Sequence, residues 1–285
     1  MRPILVVLAL AVAASAAPQY EPIFYDYHEE IGIPEAARIK AGEESVDFDG
    51  SRIAGGTASR LGQWPFMVGL LIQLVDGRTS VCGSSMLSNT RAITAAHCWR
   101  HRTNQASFFT LVFGSERLFF GGTRINTNQV EMHASYNQNN LNFDIAMIRM
   151  AFVPYSTTIN RINLPSGSAT YAGVVATAVG FGRTGDGAAG NINNNQFLSH
   201  VNLQVITNLD CQRVYGTSSV IASTLCTSGA GGRGVCGGDS GGPLMISGPI
   251  LIGVAKFAAA SGCTLGLPAG YARVTSFTSW IWARM

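Results

Sequence analysis

Three short stretches carry residue types that together can break an amide bond: Thr94-Ala95-Ala96-His97-Cys98, Asp144-Ile145-Ala146-Met147-Ile148 and Gly237-Gly238-Asp239-Ser240-Gly241-Gly242-Pro243. A serine hydroxyl is a weak nucleophile near neutral pH, so a base must take its proton as it attacks a carbonyl carbon. Histidine, with an ordinary pKa of about 6.5, can accept that proton and return it to the leaving amine. His97 is the candidate base. A carboxylate bonded to the other ring nitrogen fixes the tautomer and stabilises the imidazolium, which is the role open to Asp144. The glycines around Ser240 permit a tight turn that aims the N–H groups of Gly238 and Ser240 at the carbonyl oxygen, where negative charge develops. A serine in a Gly-rich turn is by itself unremarkable; it is the company of His97 and Asp144 that gives Ser240 chemical meaning. His28, His101, His133 and His200 lie in no such context and read as ordinary surface or core residues.

The three segments, in the chain order His, Asp, Ser, resemble the chymotrypsin-like serine proteases, and digestive insect chymotrypsins in particular, over residues 53–285. That resemblance implies an all-β fold of two packed six-stranded antiparallel β-barrels with a C-terminal helix, and peptide hydrolysis through an acyl-enzyme. Arg52-Ile53-Ala54-Gly55-Gly56 resembles the family's activation site, which implies a cut after Arg52 by a trypsin-like protease. The new α-amino group of Ile53 would then insert beside Asp239 and order the oxyanion loop and specificity pocket. The resemblance further implies disulfides joining Cys82 with Cys98, Cys211 with Cys226, and Cys236 with Cys263. It places Gly234 at the base of the substrate pocket and Ala258 and Ala269 on its walls. An aspartate would be needed at the base to select Arg or Lys, so this pocket is expected to prefer Phe, Tyr, Leu or Met, with an elastase-like taste for small aliphatic residues as the alternative. The pair Lys256-Phe257 departs from the family's usual Ser-Trp. Lys256 either sets a cation near Asp144 or the pocket mouth, or runs out to solvent.

These residues must be held by surrounding elements. Short apolar runs between Gly, Asn, Ser and Pro read as strands, for example at 66–75, 107–113, 145–150, 174–179 and 250–254. A single helical turn is expected at 95–99 and a longer helix at 274–284, where Phe277, Trp280 and Ile281 fall at helical spacing. Residues 154–173 make the natural linker between an N-terminal barrel, about 53–160, and a C-terminal barrel, about 161–285. The Gly- and Asn-rich stretch 185–195 reads as a surface loop.

Composition sets the context. Of 285 residues 47% are hydrophobic and only 12% charged, which excludes a disordered chain. Met1-Arg2-Pro3, an apolar run from Ile4 to Ala13 and Ala14-Ser15-Ala16 read as a signal peptide over residues 1–16, too short to span a bilayer. Secretion follows, into the extracellular space or a gut lumen. An even six cysteines suit an oxidising compartment, although counting leaves their pairing open. No C-x-x-C pair occurs, and the stretch matching the calcium loop of some relatives offers only Glu116 and Glu131, so neither a metal nor another cofactor is expected. Residues 17–52 form an acidic leader, nine acids against Arg38, Lys40 and Arg52, whereas residues 53–285 carry seven acids against fourteen Arg and the single Lys256. The leader, an activation propeptide on the family resemblance, is expected to rest on the basic body by long-range attraction. It contains no cysteine, so a cut after Arg52 leaves it without a covalent tether. No basic cluster interleaved with aromatics supports nucleic-acid binding, and no membrane partner is expected. The preference for Arg over Lys suits an alkaline lumen, since arginine keeps its charge above pH 12. The expected product is a monomeric digestive endopeptidase; the rival readings are a catalytically silent homologue that acts as a binding module and a cascade protease.

Overall fold

The computed structural model describes residues 19–24, 26–44, 57–186 and 198–285. The expected signal peptide, Arg52, Ile53 and most of the 185–195 loop lie outside those residues. The chain is mostly β and forms two sheets with a few short helices. The N-terminal sheet contains β2 (Met67–Leu74), β3 (Thr79–Ser88), β4 (Arg91–Thr94), β5 (Arg100–His101), β6 (Asn104–Phe113), β7 (Thr123–Thr127), β8 (Val130–Met132) and β9 (Ala146–Arg149). The C-terminal sheet contains β1 (Thr57–Ala58), β10 (Val175–Gly180), β11 (Ser199–Ile206), β12 (Thr224–Thr227), β13 (Pro243–Ile246), β14 (Ile250–Phe257) and β15 (Ala269–Arg273).

All pairings between these strands are antiparallel. In the C-terminal sheet six strands run β11-β10-β13-β14-β15-β12, and β12 returns to β11 through Val205 opposite Thr227 and Ile206 opposite Cys226, which closes the barrel. The N-terminal sheet is ordered β5-β6-β2-β3-β4-β9-β8, with β7 also on β6; it curls, but among the described residues its end strands do not pair. The expected pair of β-barrels thus takes the form of one closed six-stranded barrel and one curled half-barrel. β2 shows why the halves stay together. Its alternate residues Val68, Leu70, Ile72 and Leu74 are buried in the core on one face, as the two-residue strand period requires. On the other face stands Gly69, where a Cβ would lie 2.4 Å from Leu118 and 3.2 Å from Phe181, so a side chain there would displace the Leu118 tip and press on Phe181 from the other half.

Three disulfides, Cys82–Cys98, Cys211–Cys226 and Cys236–Cys263, lie within the body. The helical turn at Ala96–Cys98 forms as expected, but the C-terminal helix is shorter than its pattern suggested: a 3₁₀ turn at Val274–Ser276 precedes α3 (Thr278–Trp282), which buries Phe277 and Ile281 beneath it. Three helical segments lie outside the expected set, the first of them a π-helical turn at His28–Gly32. In α2 (Asn208–Ser219) the Thr207 hydroxyl caps the first turn by accepting from the Asp210 N–H, a start signal visible in sequence. α1 (Ile33–Glu44) runs on without a break from the His28–Gly32 turn, with Pro34 at the junction.

α1 belongs to the leader, which lies on the body rather than apart from it. The opposite charges do meet, in a bidentate pair between Glu29 and Arg78 and a contact between Glu35 and Arg183. The seat is mainly short-range, however. Phe24, Tyr27, Ala36 and Ile39 are all buried, and Ala36 and Ile39 complete the apolar cluster of Met67, Val81, Leu118 and Phe181 between the two sheets. Among the described residues no helix is long and apolar enough to cross a membrane.

Candidate active site

His97 stands on the 3₁₀ turn that ends β4, and the Cys82–Cys98 disulfide ties that turn to β3. Its backbone N–H donates to Asp144 Oδ1 at 2.8 Å, and its Nδ1 meets Asp144 Oδ2 at 2.6 Å; both side chains are fully buried. One carboxylate thus holds both the loop and the ring of His97, with Nδ1 protonated and Nε2 left as the acceptor. The residue before Asp144 is strained: Phe143 has φ of 56°, a left-handed conformation that costs a bulky residue about 1–2 kcal/mol. It is held there by stacking on His133, with ring centroids 5.3 Å apart.

Ser240 sits on the turn that enters β13. Gly238 and Gly241, with φ of 96° and 80°, bend the chain on either side of it. The Ser240 carbonyl accepts from the Gly83 N–H at 2.7 Å, and the Gly241 N–H donates to the Ala255 carbonyl at 2.8 Å, so the turn is fastened to both sheets. The Gly237 carbonyl accepts from the Arg183 N–H at 2.9 Å, and in a trans peptide the Gly238 N–H therefore points the opposite way. Asp239 turns inward, where its carboxylate accepts from the N–H groups of Gly182 at 2.8 Å and Cys236 at 3.0 Å. Burial nevertheless outweighs those two donors and raises its pKa to about 6.

The three expected pocket residues do not share one cavity. Ala258 lines a cleft of about 220 Å³ with Ser240, Gly237 and the leader residues Phe24, Ile31 and Glu35. Gly234 lines a smaller cavity beside Asp239, Gly182 and Val201, and Cys236 borders both. Ala269 lies buried in β15 within the core of the closed barrel. Cys82, His97 and Cys98 approach closely enough to suggest a metal, but both sulfurs are already joined in the disulfide.

Lys256 does not run out to solvent but is held inside, within electrostatic range of Asp144. It is only 2% exposed, and its Nζ donates to the Ser219 carbonyl at 3.1 Å and to Thr224 Oγ1 at 3.3 Å, with Phe257 alongside. Burial lowers its pKa from the ordinary 10.5 to about 8, and Asp144 opposes the shift only through space. Because the unfolded lysine holds its proton up to pH 10.5, stability is lost as pH falls through that window and is lowest below pH 8. The full shift corresponds to about 3 kcal/mol. Buried tyrosines such as Tyr215 and Tyr271, whose pKa values are raised by burial, reverse the trend above pH 10. In a Ser240→Ala background, which prevents self-digestion, the melting temperature is expected to rise by roughly 5 °C between pH 8 and 10. Lys256→Met should abolish the rise; a rise that survives the substitution would exclude Lys256 as its source.

The leader brings further residues to the site that sequence reading passed over. The ring of Tyr27 packs on His97 with centroids 4.5 Å apart, and that of Phe24 does so at 5.4 Å. The Tyr27 hydroxyl donates to the Val81 carbonyl at 2.7 Å and lies in hydrogen-bonding reach of the Ser240 side chain. His28 and His101, expected to be ordinary, are both at this seam: His28 Nδ1 bonds Ser80 Oγ at 2.9 Å, and His101 Nδ1 accepts from the Tyr27 N–H at 3.0 Å. Burial, with His97 nearby, lowers their pKa values to about 3 and about 4, so both rings are neutral. The density of aromatics in Phe24-Tyr25-Asp26-Tyr27-His28, unusual for an acidic leader, was the available signal.

The Trypsin family profile matches residues 53–281. Among curated relatives, "Serine protease 1" of Drosophila melanogaster is 37% identical over 236 residues, covering 81% of this chain and 84% of its own. "Collagenase" of Hypoderma lineatum is 30% identical over 281 residues, covering 97% and 96%, and "Brachyurin" of Leptuca pugilator is 34% identical, covering 80% and 96%. A solved structure titled "HL collagenase" superposes with a TM-score of 0.75 at 32% identity, covering 81% of this chain and 98% of that one. Profile, relatives and fold agree, and the chain belongs to the trypsin family of chymotrypsin-like serine proteases, a family of serine endopeptidases.

Proposed function

We propose that the chain is a secreted zymogen whose mature form, residues 53–285, cleaves proteins after large apolar or aromatic residues in digestion. The observation that carries the chemistry is the double hold of Asp144 on His97 beside Ser240. In this reading Ser240 Oγ attacks the scissile carbonyl while His97 Nε2 takes its proton, Asp144 stabilises the resulting imidazolium, and the N–H groups of Gly238 and Ser240 receive the oxyanion. The proton then passes to the departing amine, and a water activated by His97 releases the acyl group from Ser240. Activation begins with a trypsin-like cut after Arg52. The freed α-amino group of Ile53 then pairs with Asp239, whose burial and raised pKa mark a carboxylate in want of a cation. That rearrangement is also what would bring Gly234, Ala258 and Ala269 around one substrate side chain.

Activation with trypsin and digestion of a peptide library, with a serine-directed phosphonate as the inhibition control, tests this. Cleavage after Phe, Tyr, Leu or Met is expected to exceed cleavage after Ala or Val by about 10-fold or more. A product pattern dominated by small residues would favour the elastase-like alternative, and one dominated by Arg or Lys would exclude both. The name carried by the Hypoderma lineatum relative makes collagen a substrate to include.

A further inference from the structure

We infer that residues 19–44 are a peptide inhibitor of this protease, which covers the substrate cleft in the zymogen and binds over the same cleft as a free peptide once the chain has been cut. The inference rests on the serine-protease reading of the site, but not on how the Ile53 switch operates.

The described residues of the segment are seated from one end to the other. At one end the Glu21 N–H donates to the Val214 carbonyl at 2.9 Å, and the Pro22 carbonyl accepts from the Ala260 N–H at 3.0 Å. Phe24 and Tyr27 then cover His97 from the cleft side. Asp26 accepts from Asn104 at 3.1 Å and Glu29 takes the Arg78 fork. Ile31 and Glu35 stand against Gly237, where an added Cβ would come within 3.0 Å and 3.5 Å of them. α1 drives Ala36 and Ile39 between the sheets, and the Glu43 carboxylate accepts from the N–H groups of Leu118 at 2.6 Å and Phe119 at 2.8 Å.

The chemistry at the centre is that of a blocked enzyme. His97 Nε2, the atom that must take the serine proton, is buried and makes no hydrogen bond among the described residues. The Tyr27 hydroxyl, held on the Val81 carbonyl, lies beside the Ser240 side chain, so the leader occupies the ground a substrate would have to cross. All of these contacts are made by residues before 45, which precede Arg52 in the sequence. Cutting after Arg52 breaks none of them, and departure of the leader becomes a separate step.

The test activates the zymogen with trypsin, removes the leader chromatographically and titrates a synthetic peptide of residues 19–44 into the released enzyme. Hydrolysis of a chromogenic peptide and binding by calorimetry are both followed. The expected result is competitive inhibition at one-to-one stoichiometry, weakened about 30-fold or more by Tyr27→Ala, since a buried aromatic anchor is worth about 2 kcal/mol or more. A scrambled peptide of equal charge should have no effect; equal inhibition by it would show that acidity alone is responsible and overturn the inference. So would an active enzyme that the peptide does not inhibit, or inhibition that is not competitive with substrate. A released body that hydrolyses nothing yet binds the peptide would refute the protease reading while leaving the cleft complex standing. One that neither hydrolyses nor binds would overturn both.

Discussion

The Asp144→Asn variant is expected to turn over peptide substrates ~10⁴-fold more slowly than the parent enzyme after identical activation. The geometry says why the loss should be so large for a change so small. Asp144 Oδ1 accepts the His97 backbone N–H, and Oδ2 takes the ring Nδ1. An asparagine in the same place keeps its oxygen on the backbone N–H, so its NH₂ group faces Nδ1. That nitrogen must then accept, the ring proton moves to Nε2, and Nε2 can no longer take the proton of Ser240. The packing is unchanged, and the melting temperature should stay within a few degrees of the parent's. Single-turnover kinetics on an activated peptide ester, read together with thermal melts, separates a wrong tautomer from a broken fold. A loss below tenfold would remove Asp144 from the orienting role.

The Asp239→Asn variant is expected to gain almost nothing from cleavage after Arg52. Asp239 already uses its two oxygens on the N–H groups of Gly182 and Cys236, and on the proposed activation route it also receives the ammonium group of Ile53. An amide cannot neutralise that cation and offers only one acceptor oxygen. Stripping one partner from a buried charge pair costs about 3–5 kcal/mol, which lowers the fraction of cleaved chains with an ordered oxyanion turn by roughly 150- to 4,000-fold. Activity before and after trypsin treatment, with complete cleavage verified by mass spectrometry, is the measurement. Full activity in the cleaved variant would refute the assignment of Asp239.

The positions of His97, Asp144 and Ser240 could be grouped from sequence because each lies in a short stretch whose neighbours serve it: a helical turn behind a strand, a strand following the carboxylate, a glycine turn. Short apolar runs bounded by turn residues made β2 and β14 legible in the same way. What escaped reading depended on contacts between distant segments. The half-barrel is open because β7 and β8 lie at opposite ends of their sheet, which no local pattern reveals. Lys256 was read by its charge, whereas its surroundings are set by Ser219 and Thr224, more than thirty residues earlier. The leader was read by its acids, and the burial of Tyr27 and Ile39 depends on surfaces that exist only once both sheets have formed.

The three disulfides all fall between Cys82 and Cys263, so nothing covalent joins residues 19–44 to the body except the main chain through Arg52. On the inference above, an uncut leader meets its cleft at an effective concentration in the millimolar range, as short tethers provide, whereas a cut leader meets it only at the concentration of the protein itself. Crowded in a storage vesicle, clipped molecules would remain silent. Spilled into a large volume they would wake without any further signal, so that dilution, a purely physical event, becomes the trigger.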